Sequence, residues 1–230
     1  MEITLGPILY EWRKEDVRRF YEEAASWAID RVCIGEVVCV KKRGVPPDAL
    51  AGIAEGLERA GKKVAVSSLA VISNEDELSL ARTLSGLPYA IEANDAAIFN
   101  MVDAHKKEVF AGPHVLSYNA VTIEFLKGIG VKRITMPVEL SRESVEYNIA
   151  RTGVPAEVCA HGKAPLACSW RCYTSRAYGL NKTDCAHHCA RHPSGMEIKT
   201  LDAEPVFTVN GTAVLSASTY TLIEHVEDLA

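Results

Sequence analysis

The sequence predicts an α/β fold, specifically a (β/α) TIM-like barrel that is incomplete at its C-terminus and carries a cysteine-rich insertion and a β-hairpin. Apolar runs and amphipathic stretches alternate about every 25 to 30 residues, which is typical of a parallel sheet with crossover helices. Seven such repeats precede the cysteine-rich segment, and this number favours a barrel over an open sheet. The chain has neither G-x-G-x-x-G after its first strand nor G-x-x-x-x-G-K-[ST], so dinucleotide and P-loop folds lack their main support.

Short apolar runs mark the predicted strands. These are Ile3–Gly6, Asp30–Gly35, Lys63–Ser67, Tyr89–Glu92, Glu108–Gly112, Lys132–Met136 and Pro155–Ala160. Apolar residues that recur at helical spacing predict the helices between them. These are Lys14–Ala28, Ala49–Ala60, Glu75–Leu84, Asp95–Val102, Ala120–Gly128 and a helix that Ser141 opens. Asn74 or Ser73 can cap the third helix, because a side-chain oxygen there accepts an unpaired amide.

The C-terminal part has a different pattern. Asn210-Gly211 separates two β-prone runs within about 204–218, and this dipeptide favours a tight hairpin turn. A last helical stretch is predicted at Leu222–Leu229, ending at Ala230. Because no eighth barrel strand follows, we expect either an incomplete barrel or a chain shorter than the natural protein. We assign residues 1–230 to a single barrel-like domain with the insertion at about 165–195.

Composition excludes several classes of protein. The chain of 230 residues is 48% hydrophobic and 24% charged, which is ordinary for a soluble globular protein. Its net charge of -5 argues against sequence-independent nucleic-acid binding, although Lys41, Lys42 and Arg43 form a local basic patch. No apolar run reaches the roughly 18 to 20 residues of a membrane span, and the N-terminus lacks the features of a signal peptide. We therefore expect a cytoplasmic protein.

Four of the seven cysteines lie between Pro165 and His192. In a reducing compartment such a cluster points to metal binding or catalysis before disulfides. Thiolates are soft ligands that suit iron–sulfur clusters or zinc. The candidate ligands are Cys39, which follows the second strand, and Cys172, Cys185 and Cys189 of the insertion.

Other assignments stay open for the cysteine-rich segment. The adjacent histidines His187 and His188, with His192 four residues later, also allow a structural zinc site of Cys and His. An exposed loop with incidental thiols is the simplest alternative. Cys168 is the weaker candidate ligand. Cys33 and Cys159 fall inside predicted strands, where a free cysteine behaves as a small apolar residue.

Barrel enzymes place their chemistry on the loops that follow the carboxyl ends of the strands. Polar residues at these positions are candidate catalytic residues. They are Glu36, Glu92, Asn119, Glu139 and Arg142.

Several stretches resemble one known family. They are L-G-P-I-L-Y (5–10), G-E-V-V-C (35–39), E-A-N-D (92–95), A-G-P-H-V-L-S-Y-N-A-V-T (111–122), M-P-V-E-L-S-R (136–142), P-L-A (165–167), R-C-Y-T-S-R (171–176), C-x-x-x-C (185–189) and V-F-T-V-N-G (206–211). In this order they resemble the collagenase-like peptidase U family, and within it the branch of UbiV-type proteins of oxygen-independent ubiquinone biosynthesis. The family motif E-x-x-x-H-G-A-L-C-x-x-x-S-G-x-C matches at Glu157 and at His161-Gly162, but Pro165 stands at the first motif cysteine.

The resemblance implies a ligand set, a partner and an activity. UbiV-type proteins take the missing ligand from the loop after the second strand, which implies a 4Fe-4S cluster on Cys39, Cys172, Cys185 and Cys189. It further implies a heterodimer with a UbiU-like family member that hydroxylates a ubiquinone precursor ring without O2, with prephenate as oxygen donor.

Three alternatives to this activity stay open. The family name suggests a peptidase or other hydrolase, although neither G-x-S-x-G nor H-E-x-x-H is present. Some relatives hydroxylate RNA bases, but the net negative charge of this chain argues against an RNA substrate. A non-catalytic scaffold is the third.

Overall fold

Seven parallel strands form one sheet in sequence order in the computed structural model, which describes residues 1–42 and 46–229. They are β1 (Thr4–Leu5), β2 (Arg31–Gly35), β3 (Lys63–Ser67), β4 (Ala90–Ala93), β5 (Val109–Ala111), β6 (Arg133–Thr135) and β7 (Ala156–Glu157). Each predicted strand overlaps one of them, and only β4 extends beyond its prediction, by one residue at Ala93, so the α/β class is confirmed. Arg43 of the basic patch and Ala230 lie outside the described residues.

Six helices connect these strands. They are α1 (Lys14–Ala24), α2 (Pro47–Arg59), α3 (Glu75–Gly86), α4 (Ala97–Met101), α5 (Ala120–Gly128) and α6 (Arg142–Thr152). The prediction for α1 extends too far, because the Ser26 hydroxyl donates a hydrogen bond to the carbonyl of Glu23 at 2.8 Å and the chain leaves the helix there. The prediction for α4 begins too early, because the Asp95 carboxylate accepts from the amide of Ala97 at 2.8 Å and so precedes the helix.

Side chains alternate between the two faces of the parallel sheet. The outer face is apolar and packs on the helices, for example through Val32, Ile34 and Ile91. The inner face carries polar and charged groups. Thr4 of β1 donates a hydrogen bond to the Glu157 carboxylate of β7 at 3.0 Å, so the sheet curls until its first and last strands meet. Within the described residues no parallel strand lies between these two, and the architecture is that of an incomplete (β/α) barrel.

The C-terminal part forms a second, antiparallel sheet in the order β8-β11-β10-β9. Its strands are β8 (His161–Cys168), β9 (Met196–Lys199), β10 (Pro205–Asn210) and β11 (Ala213–Thr221). The predicted hairpin is confirmed as β10 and β11, with Gly211 at φ 59° in the turn. Strands β8 and β9 were not predicted, and the first part of the predicted insertion lies in β8.

The rest of the cysteine-rich segment has little regular secondary structure. It contains a short helix α7 (Tyr173–Ala177) and a 3-10 turn at His188–Arg191. The predicted C-terminal helix is a 3-10 segment, Ile223–Leu229. None of the helices in the described ranges combines the length and the apolar character that a bilayer crossing demands.

Candidate functional site

Three segments that are distant in sequence enclose one small pocket. They are the loop after β2, the segment from Cys172 to Cys189 and the turn between β10 and β11. All four predicted ligands line it: Cys39, Cys172, Cys185 and Cys189. Each is a free thiol. The pocket wall also contains His187 and His188 and the lysines Lys41, Lys42 and Lys182.

The loop that carries Cys39 is shaped by Glu36. The Glu36 carboxylate accepts hydrogen bonds from the amides of Val38 at 2.7 Å and Cys39 at 3.0 Å. It also forms an ion pair with Lys42 at 3.0 Å, and the Lys42 side chain is only 8% exposed. Glu36, predicted as a catalytic candidate, therefore holds the backbone of the Cys39 loop in place.

Two lysines connect this loop and the cysteine-rich segment to each other and to the barrel. The ammonium group of Lys41 donates hydrogen bonds to the carbonyls of Lys182 at 2.9 Å and Thr183 at 2.7 Å. Lys182 in turn pairs with Glu77 of α3 at 2.6 Å, and the Glu77 side chain is 1% exposed. These contacts bring the segment that precedes Cys185 against the Cys39 loop.

The β10–β11 turn holds both sides of the pocket. The Thr212 hydroxyl donates to the carbonyl of Val38 at 2.7 Å. On the other side, the amide of Tyr173 donates to the Gly211 carbonyl at 2.7 Å, and the Gly211 amide donates to the Thr174 hydroxyl at 3.1 Å. The hairpin is thus a common support for Cys39 and Cys172.

A tight turn places Cys185 and Cys189 in the same pocket. Ala186 and His187 both have left-handed backbone angles, with φ of 47° and 53°. This conformation costs roughly 1 to 2 kcal/mol for a residue with a Cβ. Cys172 precedes α7, and its sulfur accepts a hydrogen bond from the Ser175 amide at 3.4 Å.

The four thiols influence one another electrostatically. Burial raises the pKa of Cys189 to about 11, and Glu11 and the other three cysteines of the pocket add to the rise. Burial also raises the pKa of Cys39, with a further contribution from Glu36. These thiols are therefore protonated at neutral pH until a metal displaces the protons.

One comparison with known proteins is decisive. The sequence model of peptidase family U32 matches residues 18–230. The chain belongs to peptidase family U32. This confirms the resemblance at the level of the family.

A solved structure is also similar to this U32 protein. It is a mandelate racemase/muconate lactonizing protein from Paracoccus denitrificans Pd1222, at 14% identity and a TM-score of 0.45. The match covers 70% of this chain and 48% of the other protein, so the U32 chain spans about half the length of that protein.

Three of the five catalytic candidates of the U32 protein have local structural partners at the surface. Asn119 caps α5, since its side-chain oxygen accepts from the Thr122 amide at 3.0 Å. Glu139 accepts a hydrogen bond from the Tyr118 hydroxyl. Arg142 is 65% exposed and pairs with Glu146 at 2.7 Å. In the part of the chain that the structure describes, no hydrogen bond or ion pair joins any two of the five candidates.

Glu92 lies inside the curled sheet. Its carboxylate accepts from the Asn94 amide group at 2.9 Å, and the Cys33 thiol lies 3.6 Å from its other oxygen. Burial raises the pKa of the Glu92 carboxyl, and the nearby charge of Glu157 raises it further. The Ser67 hydroxyl is buried and has no hydrogen-bond partner among the described residues.

The sequence did not reveal that polar residues gather inside the sheet around Glu92. The guanidinium groups of Arg31 and Arg133 both lie over the Phe110 ring, at 4.7 Å and 4.2 Å from its centroid. Arg133 also pairs with Glu157 at 3.1 Å. The available signal was a charged residue at an inward position of a short strand.

The remaining cysteines lie away from the pocket wall. Cys33 is fully buried in the sheet interior, as predicted. Cys159 follows β7 rather than lying within it and is only partly buried, because that strand ends at Glu157. Cys168, like Cys39, packs against the apolar cluster of Val37, Val38 and Ala213, and burial raises its pKa to about 11.

Proposed function

We propose that this U32 protein is the iron–sulfur subunit of an O2-independent hydroxylase that acts on a ubiquinone precursor ring. In this proposal Cys39, Cys172, Cys185 and Cys189 hold a 4Fe-4S cluster. The observation that carries the proposal is that four cysteines, one of them more than a hundred residues before the others, line one pocket.

The chemistry of the donors fits such a cluster. Four cysteine thiolates are the usual ligand set of a 4Fe-4S centre, and each binds a different iron atom, so they have to surround a pocket. A single zinc ion instead needs its ligands to converge on one point. When bound, the cluster would supply electron transfer at a potential that burial and hydrogen bonding determine.

The lysines of the pocket support the same proposal. Lys41, Lys42 and Lys182 line the pocket together with the thiols. A positive charge near a thiolate favours the ionised form of the thiol. Lys182 lowers the pKa of Cys39 in this way.

The substrate and partner rest on the motif resemblance and the family match. We infer a heterodimer with a UbiU-like family member, and prephenate as the oxygen donor for the quinone precursor. In this scheme the hydroxylase activity requires the partner. Glu92, inside the curled sheet, is the proposed catalytic carboxyl of this chain, since burial raises its pKa and so favours the protonated form that can donate a proton.

The first experiment measures the cofactor. The protein is purified without oxygen, and iron, sulfide, zinc and visible absorption are measured. We expect a brown protein with about four iron atoms per chain whose absorption bleaches on reduction. Cys39→Ala should lose this iron, whereas Cys168→Ala, which changes a neighbouring thiol, should keep it. A colourless protein with stoichiometric zinc, or iron that depends on Cys168 instead, overturns the ligand assignment.

The second experiment separates the hydroxylase from a hydrolase and from a scaffold. A peptidase would need an activated nucleophile, but burial raises the pKa of Cys39, Cys168 and Cys189, which opposes thiolate formation. We expect O2-independent quinone hydroxylation with partner and prephenate, lost in Cys39→Ala. Hydroxylation that persists without the cluster indicates a scaffold, and peptide hydrolysis that depends on Cys39 contradicts the proposal.

A further inference from the structure

The ring of His188 has a fixed position in the pocket wall. His188 lies three residues after Cys185 and directly before Cys189. Its ring stacks on Tyr178 with centroids 4.1 Å apart and an interplanar angle of 9°. The Tyr178 hydroxyl lies 2.7 Å from Nε2 of His192, so the stacking partner is itself held by a hydrogen bond.

One nitrogen of this ring has no partner. His188 Nδ1 is buried and makes no hydrogen bond to any of the described residues. Buried polar atoms in native proteins are nearly always hydrogen-bonded, and leaving one unpaired costs roughly 1 to 3 kcal/mol. Because His188 lines the pocket, a group bound in the pocket can supply the missing partner.

We propose that Nδ1–H of His188 donates a hydrogen bond to a sulfur atom of the bound cofactor or of a ligating thiolate, and that this bond raises the cofactor's reduction potential. The inference rests on the proposed function and names a positioning residue for the same pocket. The sulfur atoms of such a site are acceptors, which favours the tautomer that carries the proton on Nδ1. A donor to sulfur stabilises the reduced, more negative state and so raises the potential.

The stacking geometry suggests why histidine serves here. The planar ring packs against Tyr178, and the network from Tyr178 to His192 lies within the same segment as Cys185 and Cys189. A rigid donor costs less entropy to position than a flexible one, and outer hydrogen bonds of this kind orient metal ligands in many sites. The network is therefore placed to control the cofactor without binding iron.

The test uses two substitutions of similar size. His188→Leu removes the donor, and His188→Asn places an amide N–H close to the former Nδ1 position; both lose the stacked ring. The full chain is purified without oxygen, and iron content and the midpoint potential are measured by a redox titration followed by EPR. We expect full iron content in both, a lower midpoint potential in His188→Leu and a potential near that of wild type in His188→Asn. His105→Leu, a change at an exposed histidine, should leave the potential unchanged.

The outcomes separate the two proposals. If wild type binds no iron, both the proposed function and this inference fail. If wild type holds the cluster and His188→Leu has an unaltered potential, only the inference is overturned. Loss of iron in both His188 variants would make His188 a ligand and also overturns it. Thermal unfolding of the variants shows whether a lost cluster reflects a lost fold.

Discussion

At the scale of single residues, a partly buried carboxylate can have the task of positioning the backbone. Glu36 illustrates this, since one carboxylate binds two amides of the Cys39 loop and the ammonium group of Lys42. Its position after a barrel strand predicted a catalytic role, and its contacts show that it also holds the Cys39 loop. A position on the barrel rim does not distinguish these roles, because both need a polar side chain there.

Replacing Glu36 should therefore disturb the Cys39 loop. Glu36→Ala leaves two amides without their acceptor and the buried Lys42 ammonium with only the Ile8 carbonyl as a partner among the described residues, at 3.2 Å, and we expect the free energy of unfolding to fall by about 2 to 4 kcal/mol. Urea denaturation of the protein measures this loss. Glu36→Gln keeps an acceptor oxygen and should lose less. Equal stability of Glu36→Ala and wild type would show that the loop does not depend on this carboxylate.

A second residue-scale prediction concerns pH. Burial lowers the pKa of His114, in the 3-10 turn after β5, from 6.5 to about 4. Between these values the unfolded chain binds a proton that the folded chain does not, so stability should fall as pH decreases from about 6.5 to 4. The loss is at most about 3 kcal/mol, because one pKa unit corresponds to 1.36 kcal/mol.

Urea denaturation at several pH values checks this dependence. His114→Gln cannot titrate, so its stability should decline less than that of wild type between pH 6.5 and 4. His105→Gln, at an exposed histidine, should follow the wild-type curve. If His114→Gln and wild type decline in parallel, His114 is not the group responsible.

At the scale of elements, the parallel strands and their helices could be predicted because each carries its own local signal. All seven predicted strands are present, and α5 has the predicted bounds. Strand β8 could not be predicted, since Pro165 lies within it and proline argues against a strand. The structure accommodates this proline at an edge of the second sheet, with a register shift in its pairing to β11.

The turn between Cys185 and Cys189 allows an element-scale prediction. Ala186 has φ 47°, a conformation that glycine adopts without steric cost. Ala186→Gly should therefore raise the free energy of unfolding of the protein without cofactor by about 0.5 to 1 kcal/mol, which thermal unfolding can measure. Ala190→Gly is the matched control, because Ala190 is also exposed but lies in the 3-10 turn; it should destabilise. Stabilisation by both changes would contradict the argument from backbone strain.

At the scale of the whole molecule, the site combines parts that the sequence reveals to different degrees. The spacing of the three cysteines in the insertion was enough to predict them as ligands. Cys39 was predicted from its position after a barrel strand and from the family resemblance. The contacts that bring these segments together depend on Lys41, Lys182 and Thr212. Such long-range bonds leave no periodic pattern in the sequence, so they could not be predicted.

The first and last strands of the curled sheet are joined through the Glu157 side chain. Its carboxylate accepts from Thr4 of β1 at 3.0 Å and from Thr135 of β6 at 3.3 Å, and pairs with Arg133 at 3.1 Å. The Arg133 side chain is only 11% exposed. Among the described residues, Glu157→Ala would leave this guanidinium with one, more distant carboxylate, Glu2 at 3.6 Å, beside the Phe110 ring. It would also break the side-chain bond between the first and last strands.

We expect Glu157→Ala to lower the free energy of unfolding by about 3 kcal/mol, because removing one partner leaves a buried charge poorly compensated. Glu124→Ala is the control, since Glu124 and Arg151 form an exposed pair at 3.7 Å and such pairs contribute at most about 1 kcal/mol. Hydrogen exchange at the β1 amides provides a second measurement, because loss of the Thr4 contact should let β1 open locally. The prediction is contradicted if both variants lose the same free energy of unfolding and amide exchange in β1 is unaltered. In that case the contact between β1 and β7 does not depend on Glu157, and helix packing on the outer face alone maintains the curvature of the sheet.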